Sequence, residues 1–249
     1  MTPDWASLVR ADNPSPMTLE GTNTYVLRAD PARPSVVVDP GPLAESHLDA
    51  VAAAAGSVEL ILLTHGHPDH SEGARRLAEM TGAPLAAVDR RFLVDAEALH
   101  GGERLAGVGG LTVRVVATPG HTSDSVCFAV ENDEPALLTG DTILGRGTSV
   151  VAHPDGRLGD YLASLEAVRD LGAGLTLLPG HGPLGGDVGE RAAAYLIHRR
   201  ERLDQVRAAL VEGATTAADV VRVVYAEVDE LLWAAAELSV RAQLDYLAT

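Results

Sequence analysis

The chain has 249 residues, 46% of them hydrophobic, and a formal net charge of −16, and this length leaves room for one large domain and a small one. The single cysteine excludes an internal disulfide, and without an apolar run of about 18 residues or a leader sequence we expect a cytoplasmic protein with no membrane span. Because the acidity repels polyanions, it argues against DNA as a partner.

Short apolar strands and glycine-terminated helices alternate along the first part of the chain. Strands are predicted at residues 22–28 and 36–39, with helices at 45–55 and 71–81. The stretch 99–110 carries five glycines and is predicted to be a loop.

The second part continues with a hairpin and then with helices. A β-hairpin is predicted from residues 125–130 and 136–138, followed by a helix at 159–171. Cys127 lies in an apolar run and is predicted to be a buried core residue. Three histidines in polar surroundings are expected to be solvated: His47, His100 and His153.

Four potential metal ligands follow the apolar strand at residues 60–63, and they are His65, His67, Asp69 and His70. His65 and His67 are two apart in an extended segment, so their side chains project the same way. Imidazole and carboxylate groups together suit zinc and related divalent metals.

Three further candidate ligands each follow an apolar strand and lie beside a glycine that permits a sharp turn: His121, Asp141 and His181. A lone histidine after a strand is more often a turn or cap residue than a ligand. Seven candidate ligands after four different strands are too many to be turn or cap residues by coincidence. In layered α/β folds, binding sites form where strand ends gather at one edge of a sheet. The sequence therefore predicts a metal site.

These motifs resemble those of the metallo-β-lactamase superfamily of hydrolases. The matched residues are 64–70, Gly120-His121, Gly140-Asp141 and Gly180-His181, in the order of the family. The resemblance implies an α/β fold of the αββα type, in which two mixed sheets lie face to face with helices outside. It also implies two divalent metal ions at one sheet edge, zinc being favoured and manganese or iron the alternatives.

The same resemblance implies a division of the ligands between two ions. The first ion would be held by His65, His67 and His121, the second by Asp69, His70 and His181, and Asp141 would bridge both. Two metals about 3.5–4 Å apart can share a hydroxide that acts as the nucleophile. Asp69 could also orient that nucleophile or pass on its proton, which makes it the candidate catalytic residue.

Asp39 ends another apolar strand and has two interpretations. It could accept a hydrogen bond from the outer nitrogen of a ligand histidine, as carboxylates commonly do around metals. It could equally initiate a turn before Pro40 and Gly41.

The sequence changes character after residue 189. Helices are predicted at 190–212, 219–226 and 229–247, the second opened by a capping box from Thr216 to Asp219. We therefore expect a hydrolase domain at 1–189 and a small helical domain at 190–249.

This helical region resembles the winged-helix-like tail of the β-lactamase-like endoribonucleases, a branch of the superfamily. Further matches to that branch lie at 13–25, at 140–148 and at Ile197-His198-Arg199. The sequence stops at Thr249, where a wing hairpin would follow, so we expect either that the wing is absent or that the sequence is truncated there, and a nucleic-acid role for the tail is disfavoured.

The densest basic cluster includes His198, Arg199 and Arg200, which are the candidate substrate-binding residues. The cluster could guide a phosphate backbone to the metals, or it could be a solvated helix face paired with Glu201 and Asp204.

Two substrate classes follow from these features. The first is single-stranded RNA, cleaved by an endoribonuclease, and the alternative is a small thioester or lactone, hydrolysed in the manner of glyoxalase II or a thioesterase. A β-lactamase is disfavoured, because antibiotic-hydrolysing members generally have a cysteine where Asp141 stands.

Overall fold

Two five-stranded sheets form the centre of the molecule in the computed structural model, which describes residues 2–248. Both sheets are mixed, as predicted. The first contains, in spatial order, β1 (Ala6–Arg10), β2 (Asn23–Leu27), β3 (Ser35–Val38), β4 (Val58–Leu62) and β5 (Leu85–Ala86). The second contains, in the reverse of chain order, β10 (Thr176–Pro179), β9 (Ala136–Gly140), β8 (Val126–Glu131), β7 (Leu111–Ala117) and β6 (Arg104–Val108).

Seven α-helices accompany the sheets in the described part of the chain, together with 3₁₀ turns at Arg90–Phe92 and Glu230–Leu232. The α-helices are α1 (Glu45–Ala55), α2 (Pro68–Ser71), α3 (Ala74–Thr81), α4 (Leu158–Leu171), α5 (Val188–Val211), α6 (Ala217–Val224) and α7 (Trp233–Leu247). No helix of residues 2–248 is both long and apolar enough to cross a membrane.

The sheets face each other across an apolar core that includes Tyr25, Val38 and Phe128. Helices α1 and α3 cover the outer face of the first sheet, where Leu48 and Leu77 are fully buried. Helices α4 and α5 cover the outer face of the second sheet. This layering confirms the predicted αββα sandwich. Helices on the outside allow each sheet to bury both of its apolar faces.

The C-terminal region is helical, as predicted, and has an apolar cluster of its own. Val206 of α5, Val221 of α6 and Val240 of α7 are buried together in it. The predicted capping box is present, with Thr216 and Asp219 exchanging hydrogen bonds at the start of α6. The first half of α5 packs differently, since its residues join the core beside the second sheet. Within residues 188–248 the structure contains no strand.

Three local predictions were wrong. The predicted loop at 99–110 contains β6, an edge strand antiparallel to β7. The predicted helix at 71–81 is interrupted by a turn at Glu72 and Gly73, which separates α2 from α3. His47 is buried, not solvated, and its Nε2 lies 3.0 Å from Thr24 Oγ1.

Candidate metal centre

The seven predicted ligands converge at one edge of the sandwich, where strands from both sheets end. His65, His67, Asp69 and His70 follow β4, and the others follow β7, β9 and β10. The two sheets are joined directly at this edge, since the Val126 amide donates to the Thr64 carbonyl at 2.8 Å. Rigid strand ends therefore fix the start of every ligand-bearing loop.

The ligand atoms form two groups. In the first, His67 Nδ1 lies 3.1 Å from His65 Nε2 and 3.0 Å from His121 Nε2. In the second, His181 Nε2 lies 3.1 Å from His70 Nε2 and 3.2 Å from an Asp69 carboxylate oxygen. Each group contains three potential donors within 4.8 Å of one another.

Asp141 lies between the two groups. One carboxylate oxygen, Oδ1, is 3.4 Å from Nε2 of both His70 and His181, and the other is 3.8 Å from His121 Nε2. Burial would raise the pKa of Asp141, but the charges of His181 and His70 hold it well below its ordinary value. Asp141 is therefore an ionised group with one oxygen directed to each set of histidines.

The outer nitrogens of three histidines are held by groups that can only accept hydrogen bonds. His70 Nδ1 lies 2.8 Å from Asp39 Oδ2, His121 Nδ1 lies 2.5 Å from the Val150 carbonyl, and His181 Nδ1 lies 3.2 Å from the Gly21 carbonyl. Each ring must donate from Nδ1, so in the neutral ring Nε2 carries a lone pair that points into the centre.

This donor arrangement fits divalent metal ions. Facing lone pairs about 3 Å apart repel each other unless a cation, either a proton or a metal ion, lies between them. The buried Oδ1 of Asp141 also has no hydrogen-bond partner within the described chain. Nitrogen and carboxylate oxygen donors with outer hydrogen bonds are the usual surroundings of such ions.

The carboxylates of the site shift the pKa values of its histidines to different extents. Burial would lower the pKa of His181, but Asp141 and a hydrogen bond to Asp69 raise it to about 9. Burial lowers the pKa of His121 to about 4, since Asp141 compensates for only part of the desolvation. Protons therefore occupy one histidine group more readily than the other.

Asp39 contacts the site from behind His70. It is almost fully buried, and besides His70 it accepts hydrogen bonds from the Thr64 backbone amide at 2.8 Å and the Thr64 hydroxyl at 2.7 Å. Asp39 also has a φ of 51°, a left-handed backbone conformation at the end of β3. Its carboxylate is bonded to Thr64 and His70, which favours the first interpretation of its sequence position over a turn-initiating role.

Thr64 links Asp39 to a second histidine and was assigned no role from the sequence. Its hydroxyl donates to Asp39, so it accepts from His65 Nδ1, 3.1 Å away. The only sequence signal is a polar residue between an apolar strand and the first ligand. Gly140 makes room for this network, because a Cβ there would lie 2.4 Å from Thr64 Oγ1.

A cavity of about 280 Å³ opens beside His121 and Asp141. One wall comes from the N-terminal segment at residues 16–19 and the loop after β9, and the other comes from α5 and the start of α7. Apolar side chains form much of this lining, including Met17, Leu19, Leu144, Val150, Tyr225, Val228, Leu232, Ala235 and Ala236.

The predicted basic cluster is divided by the fold. His198 is half-buried and lines the cavity. Arg199 is only 3% exposed, and its guanidinium donates to the Ser149 carbonyl. Arg200 is exposed outside the cavity, 3.5 Å from Glu166.

Arg199 also borders the cavity, and so do Arg146 and Arg202, to which the sequence assigned no substrate contact. Arg146 forms an ion pair with Glu20. Arg202 donates to the Val224 carbonyl at 2.7 Å and lies 4.7 Å from the centre of the Tyr225 ring. Their charges are therefore partly engaged by the protein itself.

Residues 17–181 match the model of the metallo-beta-lactamase superfamily, and residues 216–249 match the beta-lactamase associated winged helix domain. A relative named Beta-lactamase-like protein 2 homolog, from Drosophila melanogaster, is 35% identical over 94% of this chain and 85% of its own length.

Solved structures show the same fold. A metallo-beta-lactamase family protein from Thermus thermophilus superposes with a TM-score of 0.83 at 25% identity, over 98% of this chain and 93% of that one. TTHA1623, solved in a di-iron-bound form, superposes with a TM-score of 0.59 at 24% identity, over 74% of this chain and 95% of that one. With its fold, its strand-end motifs and its C-terminal helices, the chain belongs to the metallo-beta-lactamase superfamily of hydrolases.

Proposed function

We propose that this chain uses two divalent metal ions to hydrolyse a small ester or thioester with an apolar acyl group. His65, His67 and His121 would hold one ion, Asp69, His70 and His181 would hold the other, and Asp141 would contact both. When bound, the ions polarise the scissile carbonyl and lower the pKa of water to about 7, which provides a nucleophile at neutral pH.

Asp69 is the chain's own candidate for moving a proton. Its side chain is 29% exposed, against 13% for Asp141, so it lies where substrate and water can reach it. One carboxylate oxygen of Asp69 lies 3.2 Å from His181 Nε2 and 3.8 Å from His70 Nε2. A cation held by these histidines would keep Asp69 ionised, and Asp69 could then accept the proton of an attacking water molecule.

The proposed substrate class rests on the apolar lining of the cavity beside the candidate metal site. A volume of about 280 Å³ accommodates a small organic group, and burying such a group against Leu144, Leu232 and Ala235 is favourable. Arg199 and Arg200 do not form the continuous basic surface that an RNA backbone needs.

Single-stranded RNA is the second candidate substrate, and one observation favours it. The wall of the same cavity includes four basic residues, Arg146, His198, Arg199 and Arg202. A phosphate bound between them would lie close to Asp141 and His121. The resemblance to the endoribonuclease branch agrees with this alternative.

A direct comparison of substrates tests the proposal. Purified protein, loaded with zinc, manganese or iron, is assayed against labelled single-stranded RNA, lactones and acyl thioesters of increasing chain length. We expect thioester or ester hydrolysis whose kcat/KM rises with acyl length up to the capacity of the cavity. Salt-sensitive RNA cleavage without ester hydrolysis would replace the proposal with the RNA alternative.

A pair of neighbouring alanines provides the matched variants. Ala235 lines the cavity, whereas Ala234, one residue earlier on α7, is exposed. Ala235→Trp should fill part of the cavity and lower kcat/KM for long acyl groups more than for acetyl, while Ala234→Trp should behave as the wild type. Equal effects on all chain lengths would show that the acyl group binds elsewhere.

A further inference from the structure

We infer that Arg199 is a positioning residue for the candidate metal ligand His121, and that it acts through the backbone of residues 149–152. The inference rests on the proposed metal centre, of which His121 is a part. It assigns a role to an arginine that is almost fully buried although it borders the cavity.

Residues 149–152 contact His121 at three points. The Val150 carbonyl accepts from His121 Nδ1 at 2.5 Å, and Ser149 Oγ lies 3.2 Å from the same nitrogen. The Ala152 amide donates to the His121 carbonyl at 3.0 Å. The path of this segment therefore sets both the backbone position and the ring orientation of His121, and with them the direction of its Nε2 lone pair.

Two helices from the C-terminal part of the chain hold the segment in place. Arg199 of α5 donates to the Ser149 carbonyl, and Ser239 of α7 accepts from the Val151 amide at 3.1 Å. Both side chains are almost fully buried, and both border the cavity beside the same stretch of backbone.

The burial of Arg199 indicates a specific role. No ion pair among residues 2–248 includes it, and its Nε has no hydrogen-bond partner in that part of the chain. A buried cation without a carboxylate partner is costly, so an apolar side chain would serve packing alone at lower cost. What the guanidinium provides is a hydrogen bond to Ser149 and a stacked contact 5.0 Å above the Tyr161 ring.

The Tyr161 contact extends this support to a second ligand. The Tyr161 hydroxyl donates to the Thr142 carbonyl at 2.7 Å, next to Asp141. The backbone of Tyr161 also packs on Gly120, where a Cβ would lie 2.3 Å away, next to His121. Arg199 and Tyr161 together therefore contact the residues next to two proposed ligands, His121 and Asp141.

Titration of metal-free protein with Co²⁺ tests the inference, because the visible absorption of bound cobalt reports the geometry of its ligands. In Arg199→Met we expect one of two equivalents to bind about 10-fold more weakly, at the lower end of the 10–100-fold cost of losing a direct partner of a ligand, because Arg199 acts one contact further out. Its absorption band should also change. Arg200→Met, the same substitution at the adjacent exposed position, should match the wild type in both respects.

Two milder variants keep the test decisive if Arg199→Met does not fold. Arg199→Lys keeps the charge but loses the planar fork, so it should recover only part of the cobalt affinity. Ser239→Ala removes the α7 contact and should weaken the same equivalent.

Wild-type affinity and an unchanged cobalt spectrum in a folded Arg199→Met would overturn the inference, and so would an unaffected Ser239→Ala if the arginine variant is unfolded. A wild-type protein that fails to take up two equivalents would instead remove the proposed metal centre, and the inference with it.

Discussion

Asp141 illustrates how one buried side chain can determine the state of its neighbours. Its carboxylate lies within 3.8 Å of three histidines that belong to both groups of candidate ligands. Because a metal ion or a proton must balance this charge, the residue couples the occupancy of the two groups.

Replacing Asp141 by Asn keeps the shape but removes the charge. We expect Asp141→Asn to fold, to retain less than two equivalents of metal, and to lose activity by roughly 100-fold or more, since even outer partners of a metal cost 10–100-fold. Metal analysis and steady-state kinetics measure the effect, with the exposed Asp133→Asn as control. Full metal content together with normal turnover would show that Asp141 does not join the two groups.

Cys127 allows an independent check of burial in the second sheet. The side chain is fully buried, and burial raises the pKa of its thiol to about 11. Since the thiolate is the reactive form, native protein at pH 8 should react with iodoacetamide far more slowly than denatured protein. Mass spectrometry of the only cysteine measures this directly, and equal rates would mean that β8 opens readily.

At the scale of residues, the sequence predicted the seven candidate ligands but not the backbone carbonyls that orient their rings. The four residues His65, His67, Asp69 and His70 could be recognised because they directly follow an apolar strand. The carbonyls of Gly21 and Val150 could not, because any residue type supplies a carbonyl and only the loop path brings it to a histidine.

Helix α5 depends on a residue at its start that also secures a neighbouring turn. Asp187 accepts hydrogen bonds from the Glu190 amide at 2.8 Å and from the Gly174 amide at 2.6 Å. These backbone donors lower the pKa of Asp187. A carboxyl group whose pKa is lowered on folding stabilises the protein at pH values above its pKa in the unfolded chain, which is about 3.9 for Asp. This stabilisation is lost as the pH falls through the lower pKa of the folded protein.

Asp187→Ala should therefore reduce the free energy of unfolding by about 1 kcal/mol at pH 7, as expected for a lost N-cap. The difference from the wild type should narrow as the pH is lowered toward 3. Urea unfolding at several pH values measures this, with Asp187→Asn as the control that keeps a neutral cap. A difference that does not change with pH would mean that the charge contributes nothing.

Among the elements, prediction succeeded where apolar spacing was clear and failed at the edge of the second sheet. Helix α1 was predicted with its observed bounds. Strand β6 was missed, because an edge strand with exposed Arg104, Ala106 and Gly107 shows no apolar alternation and glycines usually indicate loops. Its pairing with β7 depends on the neighbouring strand more than on its own composition.

For the whole molecule, the main difference from expectation concerns the helical region. The sequence predicted an appended domain, and its own apolar cluster agrees with that description. The structure also places Leu232 and Ala235 on the cavity beside Asp141. Such contacts between distant parts of a chain leave no periodic signal, so they could not be predicted from the sequence.

Metal binding should stabilise the entire fold, because the ligands come from both sheets. An ion at a free concentration 100 times its dissociation constant contributes about 2.7 kcal/mol, which corresponds to an increase in Tm of roughly 5–10 °C for a chain of this size. Thermal unfolding with added zinc and with a chelator measures the change, and Asp141→Asn should show a smaller one. An identical Tm under both conditions would argue against a resident metal.

The spacing of the ligands along the chain has a consequence for biosynthesis. His70 and His181 make contact although 111 residues separate them, so the ribosome has released His70 long before it adds its partner. In a nascent chain the first group of ligands is complete at His121, whereas the second group is complete only at His181. Loading of both proposed ions would therefore wait until translation has passed residue 181 and both sheets have closed, which makes it one of the last steps of maturation.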